Sequence, residues 1–236
     1  MYRYLLMLVL SCSAYAECDA MFINNERPEL DDSGVEICFD EFAVLYSSEY
    51  KAPIYAVQVL TPLQIAGAES INRDDAFHSE PKANNEVKPS DYRHSGYDKG
   101  HLAPAGDMSN TDAQYQSFSM ANMVPQTPQN NRDVWRRIES NVRDIAESLK
   151  QGEKLYVVTG AVFSSNDMNG IRIPQYLYKA IYSPSSGSVG VFVAMNDASK
   201  ACSVMSLEAF TEMSGIVPFP DIPSGMLQKI AVSSTK

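Results

Sequence analysis

The stretch that most constrains the fold runs from Asn131 to Leu149. Trp135, Ile138, Val142, Ile145 and Leu149 step by 3, 4, 3 and 4 residues, the spacing that lines apolar side chains along one helix face. Such a face must be buried against another layer. Candidate strands flank it in sequence: residues 39–47 and 53–60 before it, 154–164, 171–182 and 188–195 after it. Ser47-Ser48-Glu49 and Lys51 supply the first turn. Ile54, Ala56 and Gln58 alternate with Tyr55, Val57 and Val59, so one face of that strand should be the more apolar and meet a core. Thr61-Pro62 should end it. Thr159-Gly160 predicts a bend, and Pro174 an edge or bulge. Residues 112–121 read as a helix that the Pro125 to Pro128 segment breaks. The expected class is α+β, a mixed, mainly antiparallel sheet with helices packed on it.

At the N-terminus, Arg3, an apolar run over residues 4–10 and Ala14-Tyr15-Ala16 have the anatomy of a secretory signal peptide, residues 1–16. The run is far shorter than the roughly 20 apolar residues that cross a bilayer, so no membrane span is expected. Val9-Leu10-Ser11-Cys12 offers a less favoured alternative, lipoprotein processing at Cys12. Residues 17–236 would form one domain, secreted or periplasmic. Loss of Arg3 with the leader moves the formal charge from −10 to −11 and leaves Cys18, Cys38 and Cys202. In an oxidising compartment Cys18 and Cys38 can pair, with Cys202 a buried thiol. Sequence alone does not fix that pairing. No Cys-x2-Cys spacing supports a zinc site.

An acidic chain is an awkward partner for a polyanion. Its charge is uneven, however: residues 82–143 carry eight Lys or Arg against seven Asp or Glu. This near-neutral stretch holds the candidate chemistry. Its centre is Asp98-Lys99-Gly100-His101, followed by Leu102-Ala103-Pro104-Ala105, with Asn131 thirty residues after the histidine. A histidine can take a proton from water near neutral pH. Asn131 can hold a hard divalent cation that keeps most of its waters. Lys99, Arg143 and Arg73 are the cations available to stabilise charge on phosphorus. The pattern points to a phosphodiester-cleaving site. Arg73 begins a long polar loop, residues 72–93. Gly96 and Gly100 permit tight backbone paths, Gly100 letting the chain approach a ligand beside His101. Asp98 should orient its loop, and His78 and His94 should be structural. Glu139 and Arg143 fall beside the apolar stripe, where core meets solvent.

On these residues the chain resembles the DNA/RNA non-specific endonuclease family, whose ββα-metal (His-Me finger) site is marked by Asp-Arg-Gly-His and Asn-x3-Trp-x3-Glu-x3-Arg. Asn131, Trp135, Glu139 and Arg143 hold that spacing, and Arg73 and Phe77 match an upstream Arg-x3-Phe. Lys99 departs from the usual arginine, keeping the charge but losing the two-pronged grip on phosphate. The likeness extends over residues 38–223, with residues 206–220 resembling the closing helix and tail.

The resemblance implies a metal-dependent endonuclease acting on DNA and RNA and leaving 5′-phosphates. His101 would be the general base and Lys99, Glu139, Arg143 and Arg73 further catalytic residues. Asn131 would bind Mg2+ directly, with Mn2+ as a substitute. Asn131 and Glu139 lie eight positions apart, about 12 Å along a helix, so Glu139 is expected to hold the cation through water. A homodimer and a protein inhibitor stand open as partners. Two rivals remain: a secreted nucleic-acid-binding module of the same fold with weakened catalysis, and a zinc hydrolase using His94 and His101.

Overall fold

The computed structural model describes residues 18–84, 87–222 and 228–229. The expected signal peptide, residues 1–16, and Cys12 lie outside the described residues. The large sheet is built from β1 (Val35–Cys38), β2 (Phe42–Ser47) and β3 (Ala52–Leu60). A hairpin of β4 (Asp98–His101) and β5 (Met123–Gln126) stands apart from it. The chain returns to the large sheet with β6 (Leu155–Met168), β7 (Ile171–Ser183), β8 (Ser188–Met195), β9 (Cys202–Met205) and β10 (Gln228–Lys229). The order is β1-β2-β3-β6-β7-β8, with β9 and β10 both on the far side of β8. All pairings are antiparallel except β8 with β10.

The helices are α1 (Pro62–Glu69), α2 (Thr111–Ser117), α3 (Arg136–Glu147) and α4 (Leu207–Ser214). The apolar stripe behaves as its period requires. Trp135, Ile138, Val142 and Ala146 are buried in the core on one face of the sheet, with Ile145 and Leu149 packed against it. Full burial of one such aliphatic side chain contributes about 1.5–3 kcal/mol, so this helix is held firmly. The opposite face carries a second core, in which Cys18, Phe22, Tyr178, Val191 and Phe210 meet. With cores on both sides, β3 is buried along nearly its whole length rather than on one face.

Other expectations are corrected by local chemistry. Thr61-Pro62 ends β3 but also starts α1: the Thr61 side chain accepts from Gln64 N at 3.2 Å, and Pro62 fills the first turn, where no N–H is needed. The segment 112–121 is helical only as far as Ser117, and Ser119 caps a separate 3-10 turn at Met120–Asn122. Pro174 does meet a register shift between β6 and β7. Cys18 and Cys38 form a disulfide with Cα atoms 5.6 Å apart. Cys202 is exposed, not buried, because β9 is an outer strand whose first three residues face solvent.

Candidate active site

The hairpin and the long helix make a ββα unit. Antiparallel pairing of His101 with Met123 and of Asp98 with Gln126 sets its register. Beyond His101 the chain is fixed by Asn122, whose Oδ1 accepts from Ala103 N at 2.9 Å and whose Nδ2 donates to Ala103 O and Ser117 O. Asn196, just past β8, accepts from Thr127 N at 2.8 Å and donates to Pro125 O and Pro174 O. The small hairpin is thereby tied to the large sheet. Before α3 the chain makes a π-helical turn, Asn130–Trp135, a wider winding often found where a side chain is re-aimed at a site.

One cleft of about 420 Å³ gathers every residue singled out from the sequence: Arg73, Lys99, His101, Asn131, Glu139 and Arg143. Arg132 and Arg136 line it as well. Five cations and one carboxylate thus face a single cavity of a chain whose formal charge is −10.

Two aromatic rings bracket His101. Phe77 and Phe118 meet edge to face at 5.0 Å, and the His101 ring lies 5.8 Å from the first and 5.0 Å from the second. Lys99 Nζ stands 4.4 Å from the Phe77 centroid and Arg73 Cζ 5.1 Å from that of Phe118, distances at which a cation is drawn to a ring face. Arg73 also pairs with Asp75 at 2.6 Å, both well exposed, a contact of little energetic weight. His101 is buried, and its Nε2 has no partner among the described residues. Burial, with help from the Arg73 and Lys99 charges and against that of Asp75, pushes its pKa down to about 3. The imidazole is neutral at pH 7 and free to accept a proton.

Asn131 is held through Asp98. Its Nδ2 donates to Asp98 Oδ2 at 3.0 Å, while Arg132 grips the same carboxylate with Nε at 2.8 Å and Nη2 at 2.6 Å. Burial of Asp98 favours its neutral form, but the Arg132 and Asn131 hydrogen bonds outweigh this and keep its pKa below the usual value. Asp98 therefore orients its surroundings, as its position suggested. With the amide nitrogen engaged, Asn131 retains a carbonyl oxygen, a hard donor suited to a Mg2+-like ion.

Glu139 and Arg143 line the same cleft. Arg143 Nη1 donates to Asp107 Oδ1 at 2.9 Å, and Gln58 Nε2 donates to Asp107 Oδ2 at 3.0 Å. Asp107 is buried. Glu139 keeps some exposed surface, yet its carboxyl is enclosed by protein, which pushes its pKa up to about 7; Lys179 opposes the rise most and Asp107 adds to it. A divalent cation nearby would favour the ionised form.

Gly100 has a different reason from the expected one. A β-carbon there would run into the Gln126 side chain, so the close approach is to the protein itself. Gly96, by contrast, does need its left-handed φ of 83°. His78 stacks on Tyr115 at 4.3 Å and His94 stands at a positive φ of 58°, away from the cleft lining. Among the described residues the one His, Cys, Asp and Glu group close enough to share a metal is Cys18, Glu36 and Cys38. Its two cysteines are joined as the disulfide, which leaves the zinc reading without a ligand set. The residues missed from sequence are Asp107 and Lys179, which no motif marks, and Arg132 and Arg136, whose place on the cleft side of the helix entry was available from their spacing around Asn131.

A nuclease of Nostoc sp. is 32% identical over 161 residues, which cover 64% of this chain and 57% of the relative. The human mitochondrial nuclease EXOG is 26% identical over 217 residues, 78% of this chain and 57% of that protein. The chain spans a little over half the length of these curated relatives. Among solved structures, that of an EndoG/EndoGI complex aligns with a TM-score of 0.73 at 22% identity, covering 84% of this chain and 92% of the other, and so shares its fold. Residues 23–224 match the DNA/RNA non-specific endonuclease family, and the chain belongs to it.

Proposed function

We propose that this protein is a secreted, metal-dependent endonuclease that hydrolyses phosphodiester bonds of DNA and RNA without sequence preference. The observation that carries the proposal is the convergence of a neutral histidine, the Asn131 amide, Glu139 and five cations on one cleft. His101 takes a proton from water as the water oxygen bonds to phosphorus. The bond from phosphorus to the 3′ oxygen breaks opposite it and that oxygen takes a proton from solvent, leaving a 5′-phosphate and a 3′-hydroxyl. Arg73, Lys99 and Arg143 stabilise the added negative charge. Asn131 would hold a divalent cation, Mg2+ in our reading, and Glu139 one of its waters. When bound, the cation supplies charge neutralisation at the phosphoryl and leaving oxygens. Selectivity for bases should be low, because contacts to phosphate carry no sequence information. The disulfide supports export to an oxidising compartment. The EndoG/EndoGI complex among similar structures supports a protein inhibitor as a partner class.

The test is incubation of purified protein with supercoiled plasmid and with RNA. Both should be cut in Mg2+, with 5′-phosphate ends, and both spared in EDTA. A folded protein that binds plasmid without nicking it would sustain the weakened binding module instead.

A further inference from the structure

Lys179 lies within β7, is 1% exposed, and has no part in the steps above. Its Nζ donates to Thr159 Oγ1 on β6 at 2.5 Å and to the Leu102 carbonyl at 3.4 Å, and stands 5.4 Å from the Trp135 ring centroid. Leu102 follows His101 in the chain, and Trp135 closes the π-helical turn that carries Asn131. One ammonium thus joins the central sheet to the two segments that bear the base and the metal-holding amide.

Stability gives no reason for a charge in this place. Burying an ammonium is costly, and replacing a buried ion by an apolar side chain of similar volume is often neutral or stabilising. The reason lies in what its Nζ holds together.

We infer that Lys179 is a positioning residue for the reaction: its buried Nζ, anchored on Thr159, fixes the Leu102 carbonyl behind His101 and backs the Trp135 ring at the turn that carries Asn131. The inference rests on the phosphodiesterase reading. Without Lys179 the segment after His101 loses its tether to the sheet, and the Trp135 turn loses its backing. Binding of the rest of the substrate, made at the cleft rim, is unaffected.

The experiment compares wild type, Lys179→Met, Lys179→Arg and Thr159→Val in the full chain. Melting is followed in EDTA, and kcat and KM are measured with Mg2+ on a chromogenic phosphodiester. Lys179→Met should melt at the wild-type temperature or above while kcat falls by about 10-fold or more, with KM changed by less than about 3-fold. Lys179→Arg, keeping a donor at this place, should recover part of that kcat. Thr159→Val, which removes the shortest hydrogen bond to the ammonium, should lower kcat by about 3-fold with little change in melting. A structural role predicts the reverse for Lys179→Met, a lower melting temperature with normal kcat per folded molecule. That result, or wild-type kcat in Lys179→Met, overturns the inference. If Lys179→Met does not fold, Thr159→Val decides, and unchanged kcat there overturns it. A wild-type protein inert with every divalent cation overturns the activity reading as well, and so is told apart from failure of this inference alone.

Discussion

Asn131 donates its amide nitrogen to Asp98 Oδ2 across 3.0 Å, and Arg132 grips both oxygens of the same carboxylate. The proposed metal-holding oxygen is therefore aimed by a carboxylate on the hairpin, itself gripped by the residue next to Asn131. Asn131→Ala should abolish most metal activation while leaving the fold intact. Asp98→Ala should raise the Mg2+ concentration for half activation by about 10- to 100-fold, the usual cost of losing a partner behind a ligand. A Mg2+ titration of Asn131→Ala that overlays the wild type would remove Asn131 from the metal site.

The proton affinity of His101, the proposed base, is set by burial. A His101 pKa lowered from 6.5 to about 3 keeps the imidazole unprotonated through mildly acidic solution, so the acid limb of kcat/KM should lie below pH 6.5. His101→Ala should lose about 100-fold or more in kcat and lose that limb. The same shift links to stability. Between about pH 6.5 and 3 the unfolded chain binds the proton and the folded one does not, so this contribution is full above 6.5 and is lost as pH falls toward 3. Near-normal kcat in His101→Ala would refute the mechanism.

Lys99 reaches across the Phe77 ring toward the cleft. If it contacts phosphate, Lys99→Arg should preserve or raise kcat, since a guanidinium can bind two oxygens where an ammonium offers a point charge. Lys99→Ala should lower it. Steady-state kinetics on plasmid decide the matter: a silent Lys99→Ala spares His101 but takes Lys99 out of the site.

Gly100 is packed on Gln126, whose Nε2 donates to Asn130 Oδ1, and Asn130 Nδ2 donates to Met195 O at 2.6 Å. Gly100→Ala should destabilise by about 1–3 kcal/mol, the usual cost of overpacking. Activity should fall with it, because Asn130 adjoins Asn131. Urea denaturation gives the value, and an unshifted midpoint would mean that Gln126 moves aside freely.

What was legible in the sequence was what local spacing encodes. The stripe from Trp135 specified a buried helix, and fixed offsets from Asn131 to Glu139 and Arg143 placed both on one cleft. Alternation also marked β2, β3, β6, β7 and β8, but not β1, β9 or the β4–β5 hairpin that carries His101. It failed for Lys179, because period two cannot tell a face open to water from one covered by α3, and that covering is a long-range event. Asp107 escaped for a similar reason: its partners Gln58 and Arg143 are 49 and 36 residues away. Thr61-Pro62 was a matter of local chemistry, since the same dipeptide that stops a strand can start a helix.

The five cations of the cleft belong to a chain that is otherwise strongly acidic. A polyanion approaching from afar meets net repulsion, and only within the last few ångströms does it meet attraction. Added salt shortens the reach of the first, to about 10 Å at 0.1 M, more than it weakens close contacts inside the cleft. Capture of nucleic acid should then be most efficient at intermediate ionic strength, and the enzyme should ignore distant duplexes until collision brings a backbone to its rim.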